Sequence, residues 1–193
     1  MSYIFSESLN HGRFETWNEK PEMKLYQVTQ VHGVDIVSIE TLPAEADGMV
    51  CSWDKFDHAL AIKTADCLPI VIEGEKGVVF LHAGWRGLAD GILKKPEISL
   101  IKPQRVFIGP SIHVCCFEVS ADFKDHFKDS PHFKEDDGKI YFDLQQEAKR
   151  LIHTDMPNLL VTVAPVCTCC HNDLNSYRRD KTKNRNWNLF IKG

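Results

Sequence analysis

The chain has 193 residues, the size of one domain that can bury its own hydrophobic core. Its hydrophobic fraction is 43% and its charged fraction is 26%, which excludes disordered, collagen-like and membrane proteins. The net charge of −4 provides no overall positive field for a phosphate backbone, so nucleic-acid binding is not expected. We expect a single domain over residues 1–193.

The cysteines and the N-terminal sequence indicate the cellular environment. Residues 1–7 lack the basic and apolar segments of a signal peptide, and no stretch approaches the ~18 apolar residues of a membrane span. A cytoplasmic location is therefore expected, in which the seven cysteines stay reduced. They are predicted to be buried apolar residues, metal ligands or catalytic thiols rather than disulfides.

Apolar and β-branched runs predict most of the secondary structure. The predicted strands cover residues 24–31, 34–39, 58–64, 68–72, 78–81, 105–108 and 159–166. The predicted helices cover residues 88–95, 121–128 and 144–153, the last with Asp143 as its N-cap. The polar residues 124–139 are predicted to form a surface excursion. Because strands and helices do not alternate regularly, we predict an α+β fold with mixed β-sheets and outer helices.

Reactive residues stand where predicted strands end. His32 lies between two strand-like runs, Cys67 separates two apolar runs, and His82 ends a third. Imidazole and thiolate are ligands that zinc prefers, and three protein ligands leave a fourth position open, as in catalytic zinc sites. The same pattern is also compatible with hydrogen-bonded histidines and a small core cysteine.

Two further residues border these positions. Arg86 follows Gly84 and Trp85 at a predicted helix start, which suits a phosphate or carboxylate; its alternative is a surface arginine paired with an acid. Asp66, beside Cys67, is a candidate general acid or base. The alternative for Asp66 is a carboxylate that caps a turn.

The strongly basic stretch of the chain is residues 176–185. Within it, Tyr177 is suited to stacking on a base or sugar, and Arg178 to binding phosphate. A solvated loop is the alternative for such a charge run.

Other cysteines form two dense groups, Cys115-Cys116 and the Cys167–His171 run. A structural metal site normally draws ligand pairs from two separated turns. The second group lacks a clear partner turn unless it borrows Cys115 or Cys116. The sequence favours incidental thiols over a second metal.

Several motifs together resemble the laccase-domain family, once described as multicopper polyphenol oxidases and now as purine nucleoside phosphorylases. They are Gln30-Val31-His32-Gly33, Ala46-Asp47-Gly48-Met49-Val50, Thr64-Ala65-Asp66-Cys67-Leu68-Pro69, His82-Ala83-Gly84-Trp85-Arg86-Gly87, Ile108-Gly109-Pro110 and Ser176-Tyr177-Arg178-Arg179-Asp180. The resemblance implies a single domain of layered α/β/β/α architecture with mixed sheets. It also implies zinc bound by His32, Cys67 and His82.

The activity implied by this resemblance is phosphorolysis of purine nucleosides. Adenosine, inosine, guanosine or methylthioadenosine would react with phosphate to give the free base and a ribose 1-phosphate, and adenosine would in some members also be deaminated to inosine. We assign Arg86 and Arg178 to phosphate, Tyr177 to the sugar or base, and Asp66 to proton transfer as hypotheses. We expect a monomer or weak dimer.

Alternative functions stay open at this point. A copper-dependent polyphenol oxidase would need a further histidine-rich copper cluster, and no His-x-His pair occurs among the nine histidines. A metal-free hydrolase would use Cys67 as nucleophile and His82 as base. A thiol-rich metal-handling protein would instead use the cysteines at 115, 116, 167, 169 and 170 with His171.

Overall fold

The computed structural model describes residues 3–193 and contains many strands and few helices. The strands are β1 Phe5–Ser8, β2 Gly12–Trp17, β3 Leu25–Gln27, β4 Ile36–Ser38, β5 Gly48–Ser52, β6 Ala59–Thr64, β7 Leu68–Gly74, β8 Gly77–Ala83, β9 Pro103–Ile108, β10 Glu118–Val119, β11 Phe133–Asp136, β12 Lys139–Phe142, β13 Leu160–Val163 and β14 Asn186–Lys192. The α-helices are α1 Trp85–Ala89, α2 Pro96–Leu100, α3 Leu144–Asp155 and α4 Tyr177–Asp180. Short 3₁₀ helices cover Ile39–Thr41, Ile92–Lys94 and Ala121–His126.

The strands form three sheets. The largest has the order β13-β9-β7-β8-β5-β4, the second has the order β1-β2-β14-β6-β3, and a small third sheet has the order β10-β12-β11. The two larger sheets are mixed, because β13 runs parallel to β9 and β3 runs parallel to β6 among otherwise mainly antiparallel pairs. The predicted α+β class with mixed sheets is confirmed.

The six-stranded sheet is apolar on both faces. Successive side chains of a strand point to opposite faces, so Ile70 and Ile72 join one buried cluster and Val71 joins another. The first cluster contains Leu88 of α1 and Ala148 of α3, and it lies under the helices. The second cluster lies between the two large sheets. Its members from the five-stranded sheet include Phe14, Leu60 and Phe190.

Several predicted elements are shorter or of a different type in the structure. The predicted strand over residues 24–31 is only β3, because the Gln30 side chain, rather than its backbone, bonds the amide and carbonyl of Lys63. The predicted helix over residues 88–95 is interrupted at Gly91, whose φ of 88° is left-handed. The predicted helix over residues 121–128 is a 3₁₀ helix, in keeping with the modest helix propensity of its Asp, Phe and His residues.

The sequence pattern did not predict several of the strands. β1, β2, β5 and β14 were not among the predicted elements, and residues 124–139, predicted as a surface excursion, include β11. Glu15 of β2 and Asn188 of β14 are buried polar residues, which interrupt the apolar alternation that marks a half-buried strand. Among the described residues, no helix has the length and apolarity needed to cross a membrane.

The predicted N-cap of α3 is confirmed and can be tested by stability measurements. Asp143 Oδ1 accepts a hydrogen bond of 3.0 Å from the Gln146 amide. Asp143→Ala should lower the free energy of unfolding by about 1 kcal/mol, because the amide loses its partner. Urea unfolding followed by circular dichroism would measure this. Asp155→Ala is the control, since it removes an anion from the helix C-terminus and should not destabilise the chain.

Candidate metal centre and substrate cavity

The two histidines and the cysteine predicted at strand ends meet in the structure. Antiparallel pairing of β7 with β8 places Pro69 opposite His82, which brings Cys67 to the end of β8. One ligand atom from each of His32, Cys67 and His82 lies within 4.8 Å of the others. The imidazole rings are 4.7 Å apart and nearly perpendicular. This donor set fits a thiophilic divalent metal such as zinc and leaves a coordination position open.

A single buried carboxylate organises the turn that carries His32. Asp47 precedes β5 and is fully buried. Its Oδ2 accepts a hydrogen bond of 2.6 Å from the Gly33 amide, and its Oδ1 accepts one of 3.0 Å from the His32 amide. His32 has a φ of 61°, a left-handed conformation that is uncommon for residues other than glycine. The Asp47 contacts stabilise this conformation.

Asp47 also orients the buried histidine. His82 Nδ1 lies 2.7 Å from Asp47 Oδ1, which assigns the Nδ1 proton to this hydrogen bond and leaves Nε2 as the nitrogen available to a metal. A carboxylate behind a histidine ligand fixes the ring orientation and raises its basicity. From the sequence alone, Asp47 is known only as part of a family motif. Its position before the apolar strand β5 was the available signal.

The three side chains shift one another's protonation. Burial disfavours the thiolate of Cys67, but the hydrogen bonds with His32 and His82 outweigh it and lower the thiol pKa to about 6. Burial opposes the charged form of His82, yet its hydrogen bonds with Asp47 and Cys67 raise its pKa to about 9. Burial likewise opposes ionisation of Asp47, and the hydrogen bonds from His82 and Gly33 lower its pKa overall. Cys67 is therefore prepared as a thiolate, the form that binds metals.

A cavity of about 1060 Å³ opens beside this cluster. Its basic lining residues outnumber its acidic ones, although the whole chain carries a net negative charge. The basic residues are Lys63, Arg86, Arg178, Lys181 and Arg185, and the acidic ones are Asp66 and Glu118. The apolar wall includes Trp85, Ile112, Phe117 and Val119. This combination suits a ligand that has both a planar apolar part and an anionic part.

The structure brings every predicted site residue to this cavity, and both carboxylate oxygens of Asp66 accept hydrogen bonds there. Its Oδ1 accepts a hydrogen bond of 2.7 Å from the Thr168 hydroxyl, and its Oδ2 accepts one of 2.6 Å from the Arg178 amide. Asp66 itself has a φ of 92°, so it occupies a strained turn. The carboxylate thus holds the start of α4 against the loop before β7.

The side chains predicted to bind phosphate and the sugar or base have different environments. The Arg178 guanidinium donates to the Glu118 carbonyl at 2.7 Å and lies 5.4 Å from the Phe117 ring. The Arg86 side chain is exposed and stacks on Trp85 at 4.4 Å. Tyr177 is also exposed. Arg178 is therefore held in place, whereas Arg86 and Tyr177 remain accessible to a ligand.

Sequence reasoning missed several lining residues. Lys63 is the second-last residue of β6, whose other residues are all buried, and it is half-buried at the cavity. The sequence signal for Lys63 is a charged residue near the end of an otherwise apolar strand. Phe117 and Glu118 gave no such signal, because they reach the cavity only through the fold of the loop after β9.

The family is shown by comparison with known proteins. Residues 8–191 match the family model described as multi-copper polyphenol oxidoreductase laccase. The chain belongs to this family. A purine nucleoside phosphorylase of Aquifex aeolicus is 35% identical over 84% of this chain and 80% of its own length. The Escherichia coli purine nucleoside phosphorylase YfiH is 31% identical over 81% of this chain and 69% of its own length.

Solved structures of similar proteins share the fold of this laccase-family chain. A Neisseria meningitidis protein superimposes with a TM-score of 0.76 and 31% identity, over 89% of this chain and 76% of its own. YlmD from Geobacillus stearothermophilus gives a TM-score of 0.74 with 29% identity, over 89% and 74% of the two chains. The expected family membership is confirmed.

The role of Asp47 can be tested through metal affinity. Asp47→Asn replaces one acceptor oxygen by an amide group, so it cannot serve the Gly33 amide and His82 as the carboxylate does. Zinc affinity should fall about 10- to 100-fold, the usual effect of removing a carboxylate behind a histidine ligand. Competition with a chromophoric chelator would measure it. Asp35→Asn, at an exposed aspartate paired with Lys95, should bind zinc like the wild type.

The pKa of Cys67 predicts a pH profile for the metal-free chain. Alkylation follows the thiolate fraction, so the rate at Cys67 should reach half its maximum near pH 6, as its pKa requires. His32→Ala should move this midpoint upward, because one of the hydrogen bonds that lower the pKa is lost. Mass spectrometry of the Cys67 peptide after timed alkylation would give both profiles. An unchanged midpoint in His32→Ala would contradict the assigned cause.

Proposed function

We propose that this chain is a zinc-dependent purine nucleoside phosphorylase. It would cleave adenosine, inosine, guanosine or methylthioadenosine with phosphate, releasing the free base and the corresponding ribose 1-phosphate. Deamination of adenosine to inosine is a second proposed reaction of the same site. The enzyme would be cytoplasmic and would act as a monomer or weak dimer.

One observation carries this proposal: an open metal-ligand set borders a cavity that is both aromatic and basic. Among the lining residues, the aromatic rings of Trp85 and Phe117 suit a purine, and the guanidinium groups of Arg86 and Arg178 suit a phosphate. The names of the Aquifex and E. coli relatives support the same reaction.

The reaction requires phosphate to be held beside the ribose. In phosphorolysis, a phosphate oxygen forms a bond to C1′ while the bond from C1′ to the purine nitrogen breaks. The electron pair of that bond passes to the base, which takes up a proton. Arg178, held by Glu118, and Arg86, stacked on Trp85, would bind the dianion bidentately and orient it for this attack.

The remaining residues act on the other end of the nucleoside. Tyr177 would stack on the sugar or base, since its ring is exposed at the cavity. A zinc ion held by His32, Cys67 and His82 would supply Lewis acidity toward a polar atom of the substrate. Asp66 would accept or return a proton, and it would position Arg178 through its hydrogen bond to the Arg178 amide.

The decisive experiment is incubation of the purified, zinc-loaded protein with adenosine or inosine, with and without phosphate. Free base that forms only with phosphate supports phosphorolysis. Inosine that forms from adenosine without phosphate supports deamination. Absence of turnover under every condition would reject the proposed function.

The phosphate assignment predicts a specific kinetic defect. Arg86→Gln and Arg178→Gln should each raise the KM for phosphate about 10- to 100-fold, because a hydrogen bond to a charged group contributes about 1.5–3 kcal/mol. Initial rates at varied phosphate would measure this. Arg13→Gln is the matched control, since Arg13 lies on β2 and pairs with Glu15. A KM for phosphate that stays unchanged in both variants would remove these arginines from the assignment.

Two alternatives each have an observation in their favour. The lowered pKa of Cys67 beside His82 suits a Cys–His hydrolase, which would keep its activity in the presence of a chelator.

The family description suits a copper oxidase. Among residues 3–193, however, the groups of three or more candidate metal ligands include none with three histidines, whereas a multicopper oxidase needs such clusters. Metal analysis and phenol oxidation assays would test this second alternative.

A further inference from the structure

A second group of thiols lies outside the candidate metal centre. Cys115 and Cys116 belong to the turn after β9, and Cys167 and Cys170 belong to the loop after β13. These segments are more than fifty positions apart in sequence, yet the structure joins them through a parallel bridge between Ser111 and Cys167. The Cys115-Cys116 turn, which the sequence offered as a possible partner, is therefore the second half of this group.

The four sulfur atoms form a compact group. Cys115 Sγ lies 3.6 Å from Cys116 Sγ, 3.8 Å from Cys167 Sγ and 3.7 Å from Cys170 Sγ. Cys116 Sγ lies 3.3 Å from Cys170 Sγ. All four atoms are within 4.8 Å of one another. Cys169 and His171, which the sequence grouped with these cysteines, are outside this set.

These distances match a tetrahedron of metal ligands. Four thiolates around zinc, with Zn–S bonds of about 2.3 Å, place neighbouring sulfurs about 3.8 Å apart. A disulfide requires about 2.05 Å between its sulfurs, well below any distance in the group. We propose that Cys115, Cys116, Cys167 and Cys170 bind a second zinc ion in a closed site with four sulfur ligands.

The backbone around the group supports a metal site. The Cys170 and His171 amides both donate to the Cys167 carbonyl, at 3.2 and 3.0 Å, which folds the Cys-x-x-Cys segment into a tight turn that directs both thiols to one side. On the other segment, the His113 amide donates to Cys167 Sγ at 3.4 Å. An amide donor to sulfur stabilises a thiolate, the form that zinc requires.

The proposed site connects two walls of the substrate cavity. Cys116 is followed directly by Phe117 and Glu118, which line one wall. The Cys167–His171 loop contacts α4, because the Arg179 guanidinium donates to the carbonyls of three of the loop's residues at 3.1 Å. Tyr177 and Arg178 of α4 line the other wall. With every coordination position taken by sulfur, the ion would be structural. It would set the distance between Glu118 and Arg178.

Zinc content of purified variants tests the proposal. The wild-type chain, prepared under reducing conditions and treated with a moderate chelator, should contain one zinc more than Cys170→Ser. Cys169→Ser, a neighbouring thiol outside the group, is the control and should match the wild type. Cys67→Ala should lose the zinc of the candidate centre and keep the second one. Native mass spectrometry would count the ions in each folded chain.

Cobalt gives a readout that does not depend on activity. The Cys67→Ala chain reconstituted with Co²⁺ should show intense sulfur-to-cobalt charge-transfer absorption, which Cys67→Ala/Cys170→Ser should lose. Because Cys115 and Cys170 are exposed, Cys115→Ser gives a second variant that should retain the fold, as checked by circular dichroism. Zinc content in Cys115→Ser and Cys170→Ser equal to that of the wild type would overturn the proposal. So would a disulfide between Cys116 and Cys170 in the reduced preparation.

This proposal stands or fails separately from the proposed enzymatic function. If the Cys67→Ala chain retains zinc while the wild type shows no nucleoside cleavage, the second site is upheld and the phosphorylase is rejected. If Cys170→Ser contains as much zinc as the wild type while nucleoside cleavage proceeds normally, the second site is rejected and the phosphorylase is upheld.

Discussion

The hydrogen bonds of Asp47 are the constraint on which the candidate metal centre depends. One buried carboxylate serves the amide groups of the His32 turn and the ring of His82, although the two histidines are fifty positions apart in sequence. Burying a charge is costly unless it is paired and hydrogen-bonded. Because Asp47 is satisfied by these groups together, the ligand geometry and the stability of the buried charge support each other.

On the other side of the cavity, a second carboxylate also holds several groups in place. Asp66 precedes the ligand Cys67, and its carboxylate contacts the Thr168 hydroxyl and the Arg178 amide. A segment that carries basic residues is thereby fixed next to the metal ligands. Arg179 extends this arrangement, since it bonds backbone carbonyls of the cysteine-rich loop. The site thus combines a buried strand residue, His82, with loops that long-range side-chain hydrogen bonds hold in place.

The sequence predicted the buried strands well because their apolar runs are continuous, as in β7 and β8. It failed for β2 and β14, whose buried polar residues satisfy one another across the chain: Thr16 bonds Asn188, and Asn188 bonds Thr64. Such pairs cannot be recognised before the fold is known. The strand-end pattern found His32, Cys67 and His82, whereas Asp47 and Lys63 needed the structure, because their roles arise from contacts distant in sequence.

The unequal burial of the three ligands has a consequence for how an ion would arrive. His82 is almost fully buried, Cys67 is half-buried and His32 is exposed on its turn. An ion coming from solvent meets the outermost imidazole first and reaches the innermost one last. A departing ion would leave in the reverse order, so exchange of the ion would pass through the exposed His32 turn and would require no movement of the buried sheet that carries His82.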